Sequence, residues 1–257
     1  MTSVWFDSHC HMHDPRVNAA LALADARAAG VQRFVDVGCD EPTSLAAIAL
    51  AAEHDDVWAT VGLHPHDASQ GSGWIDALLV DAAERRIVAV GECGLDYHYD
   101  HSPRESQRLE FAAQIRLALA HDLPLVIHTR SAWDDTFAVL ADEGVPKATV
   151  FHCFTGGPEE AAMCLALHDE VFLSFSGIVS FPTATELHAA AAITPLSRLL
   201  VETDTPYLAP VPFRGKPNRP AWVPHVGEAI ARIKSMPTEE IAKASYANTC
   251  RAFRLGP

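Results

Sequence analysis

The sequence predicts an α/β chain of the (β/α)8 TIM-barrel type, one domain spanning residues 1–257. Two observations lead there. The chain has 257 residues, the usual size of one such barrel, at about 250. Short Val/Ile/Leu/Phe-rich runs alternate with helical stretches from end to end, with no linker, low-complexity segment or change of composition. Apolar runs of that kind are parallel strands buried on both faces.

Strand 1 is Val4 to His11. An Ala/Leu-rich helix, 17–29, follows and stops at Gly30, a residue suited to a helix end. The second strand runs 33–38, and Thr43 is placed to cap the helix that reaches His54. Strand 3 covers 57–63, a helix 74–85 and strand 4 87–92. Ser102 or Pro103 opens the longest helix, ending near His121. Strand 5 (124–128), a helix 133–143 stopped by Gly144, and strand 6 (148–152) come next. Pro158 starts a helix to His168, at a first-turn position where its missing N–H costs nothing. Strand 7 (171–176), a helix 183–192 and strand 8 (199–204) complete the units. Helices 220–234 and 238–253 close the chain. An open doubly wound sheet is the alternative. It usually carries a Gly-rich phosphate turn after strand 1, where this chain has His9-Cys10-His11.

Composition narrows the function. Six cysteines occur without a CxxC pair, so reduced thiols and a cytoplasmic protein are expected. Neither a secretory signal nor about 18 continuous apolar residues is present. The net charge of −14 argues against broad wrapping of nucleic acid or an anionic membrane and leaves room for a local positive site.

Chemistry gathers where such barrels carry it, at the C-terminal strand ends. His9 and His11 lie two apart on strand 1, so both imidazoles face one side. Glu92, His128, His152 and Asp204 close strands 4, 5, 6 and 8. Four imidazoles and two carboxylates suit two divalent ions. The expected division is His9, His11, Glu92 and Asp204 on one ion, with Glu92, His128 and His152 on the other, Glu92 bridging. Two ions ~3.5–4 Å apart can hold a bridging hydroxide as nucleophile and clamp a displacement at phosphorus. Zinc, manganese, cobalt and magnesium all fit this donor set. Singly, each such His is an ordinary hydrogen-bonded residue and each carboxylate a structural pair.

Cys10, Cys93 and Cys153 neighbour proposed ligands, and strand alternation turns them to the helix layer as small core residues. Thiolate ligation is the weaker alternative. His64 and His66 follow strand 3. His64 either reaches the substrate or packs the loop, and Asp96 either orients a ligand or caps its own loop. His54, His101, His121, His168, His188 and His225 are expected on helices or their ends, exposed or packing. Arg214, Lys216 and Arg219 concentrate positive charge after strand 8, either as a solvated turn or as phosphate-binding groups.

The order His9-x-His11, Gly62-Leu63-His64-Pro65-His66, Gly91-Glu92-Cys93-Gly94-Leu95-Asp96-Tyr97, Pro124-Leu125-Val126-Ile127-His128, His152-Cys153-Phe154-Thr155-Gly156, Glu202-Thr203-Asp204-Thr205-Pro206-Tyr207-Leu208 and Arg214-Gly215-Lys216-x-Asn218 resembles the TatD family of metal-dependent deoxyribonucleases. The likeness spans nearly the whole chain. It implies a TIM-barrel hydrolase with two divalent ions acting on DNA, often as a 3′-to-5′ exonuclease. It carries the ligand role onto His9, His11, Glu92, His128, His152 and Asp204, and puts His64 near the scissile phosphate. Cys93 and Thr205 depart from the more usual aliphatic and small residues, and neither is a ligand.

The expected function is therefore a two-metal phosphodiesterase acting on single-stranded DNA or frayed ends with little sequence preference. Asp204, Glu92 and His64 are its catalytic groups, with Asp204 receiving the nucleophile's proton. A barrel amidohydrolase cleaving a C–N, ester or lactone bond is the alternative. Such enzymes often use a modified lysine where this chain has Glu92. A metal-binding module without turnover is the second alternative.

Overall fold

The computed structural model describes residues 3–256; residues 1, 2 and 257 of the expected domain lie outside them. Eight parallel strands form one sheet in sequence order: β1 (Trp5–Cys10), β2 (Val31–Val37), β3 (Val57–Val61), β4 (Ile87–Asp96), β5 (Leu125–Arg130), β6 (Thr149–Phe151), β7 (Val171–Phe175) and β8 (Leu199–Val201). Helices α1 (Ala19–Ala28), α2 (Glu41–Glu53), α3 (Ile75–Leu79), α4 (Arg104–Ala120), α5 (Trp133–Glu143), α6 (Pro158–Leu167) and α7 (Thr185–Ile193) separate successive strands, and α8 (Val223–Lys234) and α9 (Thr238–Ala252) follow β8. This is the (β/α)8 arrangement. Among the described residues, no helix is long and apolar enough to cross a membrane.

The chain separates into two compact units, one made of residues up to Val35 and from Cys153 onward, the other of Asp36–His152. In the first, β1 is stitched to the segment after β8. The His9 carbonyl accepts the Asp204 N–H at 2.9 Å, and the His11 N–H donates to the Thr205 carbonyl at 2.9 Å. Asp7, fully buried, accepts the Thr203 N–H at 2.8 Å and its hydroxyl at 2.6 Å. Burial pushes the Asp7 carboxyl up to about 8 against those bonds.

In the second unit the decisive irregularity lies in β4. Val90 pairs with Leu125 but Cys93 with Ile127, so three steps on β4 match two on β5. The extra residue is a bulge, and bulges re-aim side chains. It falls at Gly91-Glu92. Gly91 has φ +132°, and a Cβ there would lie 2.4 Å from the Val126 carbonyl oxygen.

Several boundaries differ from expectation. β4 runs on to Asp96, so Glu92 sits inside a strand. β8 stops at Val201, three residues before Asp204. The helix expected over 74–85 is α-helical only from Ile75 to Leu79. Asp40, not Thr43, caps α2. Its carboxylate accepts the Thr43 N–H at 2.9 Å, and the Thr43 hydroxyl takes the Asp40 N–H at 3.0 Å. A carboxylate one turn earlier outcompetes a hydroxyl for the open N–H groups.

Gly62 allows a close backbone approach beneath Glu92. A Cβ there would lie 2.4 Å from the Gly91 carbonyl carbon and 2.7 Å from the Glu92 nitrogen. Backbone atoms cannot yield as a flexible side chain does. Gly62→Ala is expected to lower stability by about 1–3 kcal/mol, read as a shifted denaturant midpoint. An unchanged midpoint would contradict this contact.

Candidate metal centre

Within the unit 36–152, three imidazoles close on one carboxylate oxygen. Oε1 of Glu92 lies 2.6 Å from His152 Nε2, 2.8 Å from His128 Nδ1 and 3.4 Å from His64 Nε2. Glu92 is buried at 3 % exposure. Burial alone would raise its carboxyl. The charge of His152 and the hydrogen bonds from His128 and His152 outweigh it and hold the group well below its usual range.

His128 spans two carboxylates. Its Nδ1 meets Glu92 and its Nε2 meets Asp96 Oδ2 at 3.2 Å. Burial works against its charge, but the bonds to Asp96 and Glu92 prevail and raise its pKa. Asp96 also takes His66 Nε2 on Oδ2 at 3.1 Å, while its Oδ1 accepts the N–H groups of His98 and Tyr99 at 2.9 and 3.0 Å. One carboxylate thus caps its own loop and orients a candidate ligand, so the two roles weighed for Asp96 coexist. A carboxylate behind an imidazole is the usual support of a metal-binding histidine.

His64 accepts the His66 N–H on Nδ1 at 3.1 Å. That leaves its proton on Nε2, facing Glu92. Ligand atoms of His64, Glu92 and His128 all lie within 4.8 Å of one another. Two imidazoles and a carboxylate at that spacing are a donor set for a divalent ion.

In the other unit, His11 Nε2 lies 3.3 Å and His9 Nε2 3.9 Å from Asp204 Oδ1. The β1–β8 stitching brings them together: Asp204 and His11 are each held by a backbone bond across that seam. Asp204 has φ +56°, a conformation in which aspartate is among the better tolerated residues. His11 packs edge-on to Tyr207, ring centres 6.2 Å apart.

A model of the family described as TatD related DNase matches residues 6–254. The chain belongs to the TatD family. It is 40% identical over 97% of its length, and 99% of the relative's, to an uncharacterized metal-dependent hydrolase, YabD, of Bacillus subtilis. It is 38% identical to the 3′-5′ ssDNA/RNA exonuclease TatD of Cronobacter turicensis, over 90% of each. The crystal structure of the TatD homologue YJJV from Escherichia coli superposes with a TM-score of 0.91 at 31% identity, covering 100% of both chains. The protein is therefore a metal-dependent hydrolase with the TatD fold.

The Cys10 thiol donates to the Val35 carbonyl at 3.3 Å and the Cys93 thiol to that of Val126 at 3.6 Å. Cys153 Sγ lies 3.2 Å from Ser176 Oγ, and its N–H donates to Glu202 Oε1 at 2.8 Å. Cys39 escaped notice in the sequence, although its place just after β2 is a strand-end signal. Its Sγ is 3.7 Å from Glu92 Oε2. His121, His188 and His225 bond to Asp76, the Val179 carbonyl and Glu228. His101 instead packs on His66, ring centres 4.5 Å apart.

The cationic loop is anchored. The Asn218 side-chain amide donates to the Thr203 carbonyl at 2.7 Å, one residue from Asp204. Arg214 lies 4.1 Å over the Phe181 ring. Lys216 Nζ is 5.7 Å from the Phe213 ring. Arg219 turns to Asp25, at 3.5 Å.

His64 gives a pH signature. Burial lowers its pKa from 6.5 to about 4. Between those values the unfolded chain binds a proton that the folded chain refuses, so stability falls as pH drops through that window. In metal-free protein, His64→Gln is expected to lose less stability than wild type between pH 7 and pH 4.5, read by thermal unfolding. Parallel losses would contradict a neutral, buried His64.

Proposed function

We propose that this chain is a two-metal phosphodiesterase that cleaves single-stranded DNA or frayed ends from the 3′ end. The observation that carries the reading is the buried Glu92 oxygen surrounded by His64, His128 and His152. Membership of a family of metal-dependent hydrolases, with a relative named as a 3′-5′ ssDNA/RNA exonuclease, supports it. The proposed ligands are His9, His11, Glu92 and Asp204 for one ion and Glu92, His128 and His152 for the other. Bound divalent ions supply Lewis acidity and lower the pKa of water.

The protein groups do the rest. Glu92 holds the imidazoles at fixed spacing. Asp96 fixes the second nitrogen of His128. Asp204 accepts the proton of the attacking water. His64, neutral, presents its Nε2–H to a phosphoryl oxygen. Arg214 and Lys216 take flanking phosphates by charge-assisted hydrogen bonds. Arg219, engaged with Asp25, contributes field more than contact. These contacts go to phosphate, not to base edges, so little sequence preference follows. Six unbridged cysteines support a cytoplasmic setting.

The test is a digest by protein stripped of metal and reloaded with zinc, manganese or magnesium. Single- and double-stranded DNA labelled at the 5′ end are the substrates, and the products are sized. Stepwise shortening of the single strand, faster than of the duplex, is expected. Intact DNA with every metal, beside cleavage of an uncharged amide or lactone, would replace this reading with the amidohydrolase.

A further inference from the structure

A cavity of about 460 Å³ opens between the chain just after β1 and the loop after β8, within one unit. Arg16, Arg214 and Lys216 line it together with Phe181, Leu208 and Gly215. The protein is strongly acidic, at −14, yet this lining brings in three cations. Among the described residues, no carboxylate forms an ion pair with Arg214 or Lys216, and Arg219, the third cation of the loop, pairs with Asp25. The Arg214 guanidinium carbon lies 4.1 Å over the centre of the Phe181 ring, a cation–π contact. Gly215, at φ +83°, makes the turn that puts Arg214 and Lys216 on either side of it, and a Cβ there would touch nothing within 4 Å.

Arg16 completes the set from a distant part of the sequence. Its Nε and Nη2 fork onto Asp14 at 2.8 and 2.6 Å, and its guanidinium lies 4.6 Å over the Tyr207 ring. The fork orients Arg16 and uses two of its five N–H donors. It also cancels one charge, so the lining keeps a surplus of about two positive charges, counting Arg16, Arg214 and Lys216 against Asp14. Tyr207 connects this lining to the reacting end of the unit: its other neighbour is His11, which meets Asp204 at 3.3 Å. The cavity therefore sits one aromatic ring away from proposed ligands.

We propose that this cavity is a subsite for a second phosphate of the substrate strand, next to the one being cut, and that Arg16 is its specificity-determining residue. The proposal rests on the phosphodiesterase reading above and narrows its substrate class to molecules with at least two phosphates. A strand carries a phosphate on every nucleotide, and three guanidinium and ammonium groups around one opening suit an anion better than a sugar or a base. Phe181 and Leu208 offer apolar surface for the sugar beside that phosphate.

The experiment compares thymidine dinucleoside monophosphate, with one phosphodiester, against the same molecule carrying an added phosphate at its 5′ or its 3′ end. In the metal-loaded wild type, one of the two bisphosphorylated forms should show a kcat/KM at least tenfold higher than the parent. Arg16→Gln should reduce that ratio roughly tenfold, the loss residing mainly in KM, and Arg16→Lys should restore most of it. Arg214→Ala with Lys216→Ala should abolish it. Arg16 is half exposed, so melting temperatures of the variants should match wild type. Equal ratios in wild type and Arg16→Gln, with both substrates turned over, would overturn the subsite. If neither dinucleotide is cut, the phosphodiesterase reading falls. Calorimetric binding of the bisphosphorylated form then decides the subsite alone: tenfold weaker in Arg16→Gln supports it, equal affinity overturns it.

Discussion

The structure depends on one buried carboxylate. An isolated ionised group at 3 % exposure would be expelled or protonated, since desolvation costs several kcal/mol. Glu92 stays ionised because imidazoles press on a single oxygen. Everything around it serves that arrangement. The bulge at Gly91-Glu92 re-aims the side chain, and Gly62 lets β3 approach the peptide below it. Asp96 keeps His128 from rotating away. The same imidazole and carboxylate donors suit a divalent cation.

A second constraint is the seam between β1 and the segment after β8. His9 and His11 would be an ordinary strand pair without it. Two backbone hydrogen bonds and the Asp7–Thr203 contacts fix their height relative to Asp204. The same segment carries Tyr207 and, through Asn218, the cationic loop. The candidate ligands His9, His11 and Asp204 and the cationic loop are thereby tied to one segment of backbone. The acidic surface elsewhere makes that local field more selective, because anions gain nothing by binding at random.

Much of this was legible in the sequence, for physical reasons. Parallel strands buried on both faces leave continuous apolar runs, so the eight units could be read in order. Ligand candidates showed because they interrupt those runs with polar residues at one end. The bulge in β4 did not show: an added residue changes pairing with β5 but leaves the apolar pattern intact, so the strand was cut short at Glu92. Asp204 falls inside the expected strand 8, whereas β8 ends at Val201 and Thr203 and Asp204 turn to bond with Asp7 and the His9 carbonyl on β1. Cys39 and Arg16 act through contacts with residues far away in sequence. Arg16 pairs visibly with Asp14, but only folding sets it beside Arg214 and Lys216.

The central claim is that Glu92 organises the metal ions. The most direct measurement is metal content by elemental analysis of Glu92→Ala beside wild type, after loading with zinc and removal of excess, together with turnover of a labelled single strand. Wild type should hold two ions per chain. The variant should retain one or fewer, with near-zero turnover and a preserved fold. Two tightly held ions and normal turnover in Glu92→Ala would contradict the account.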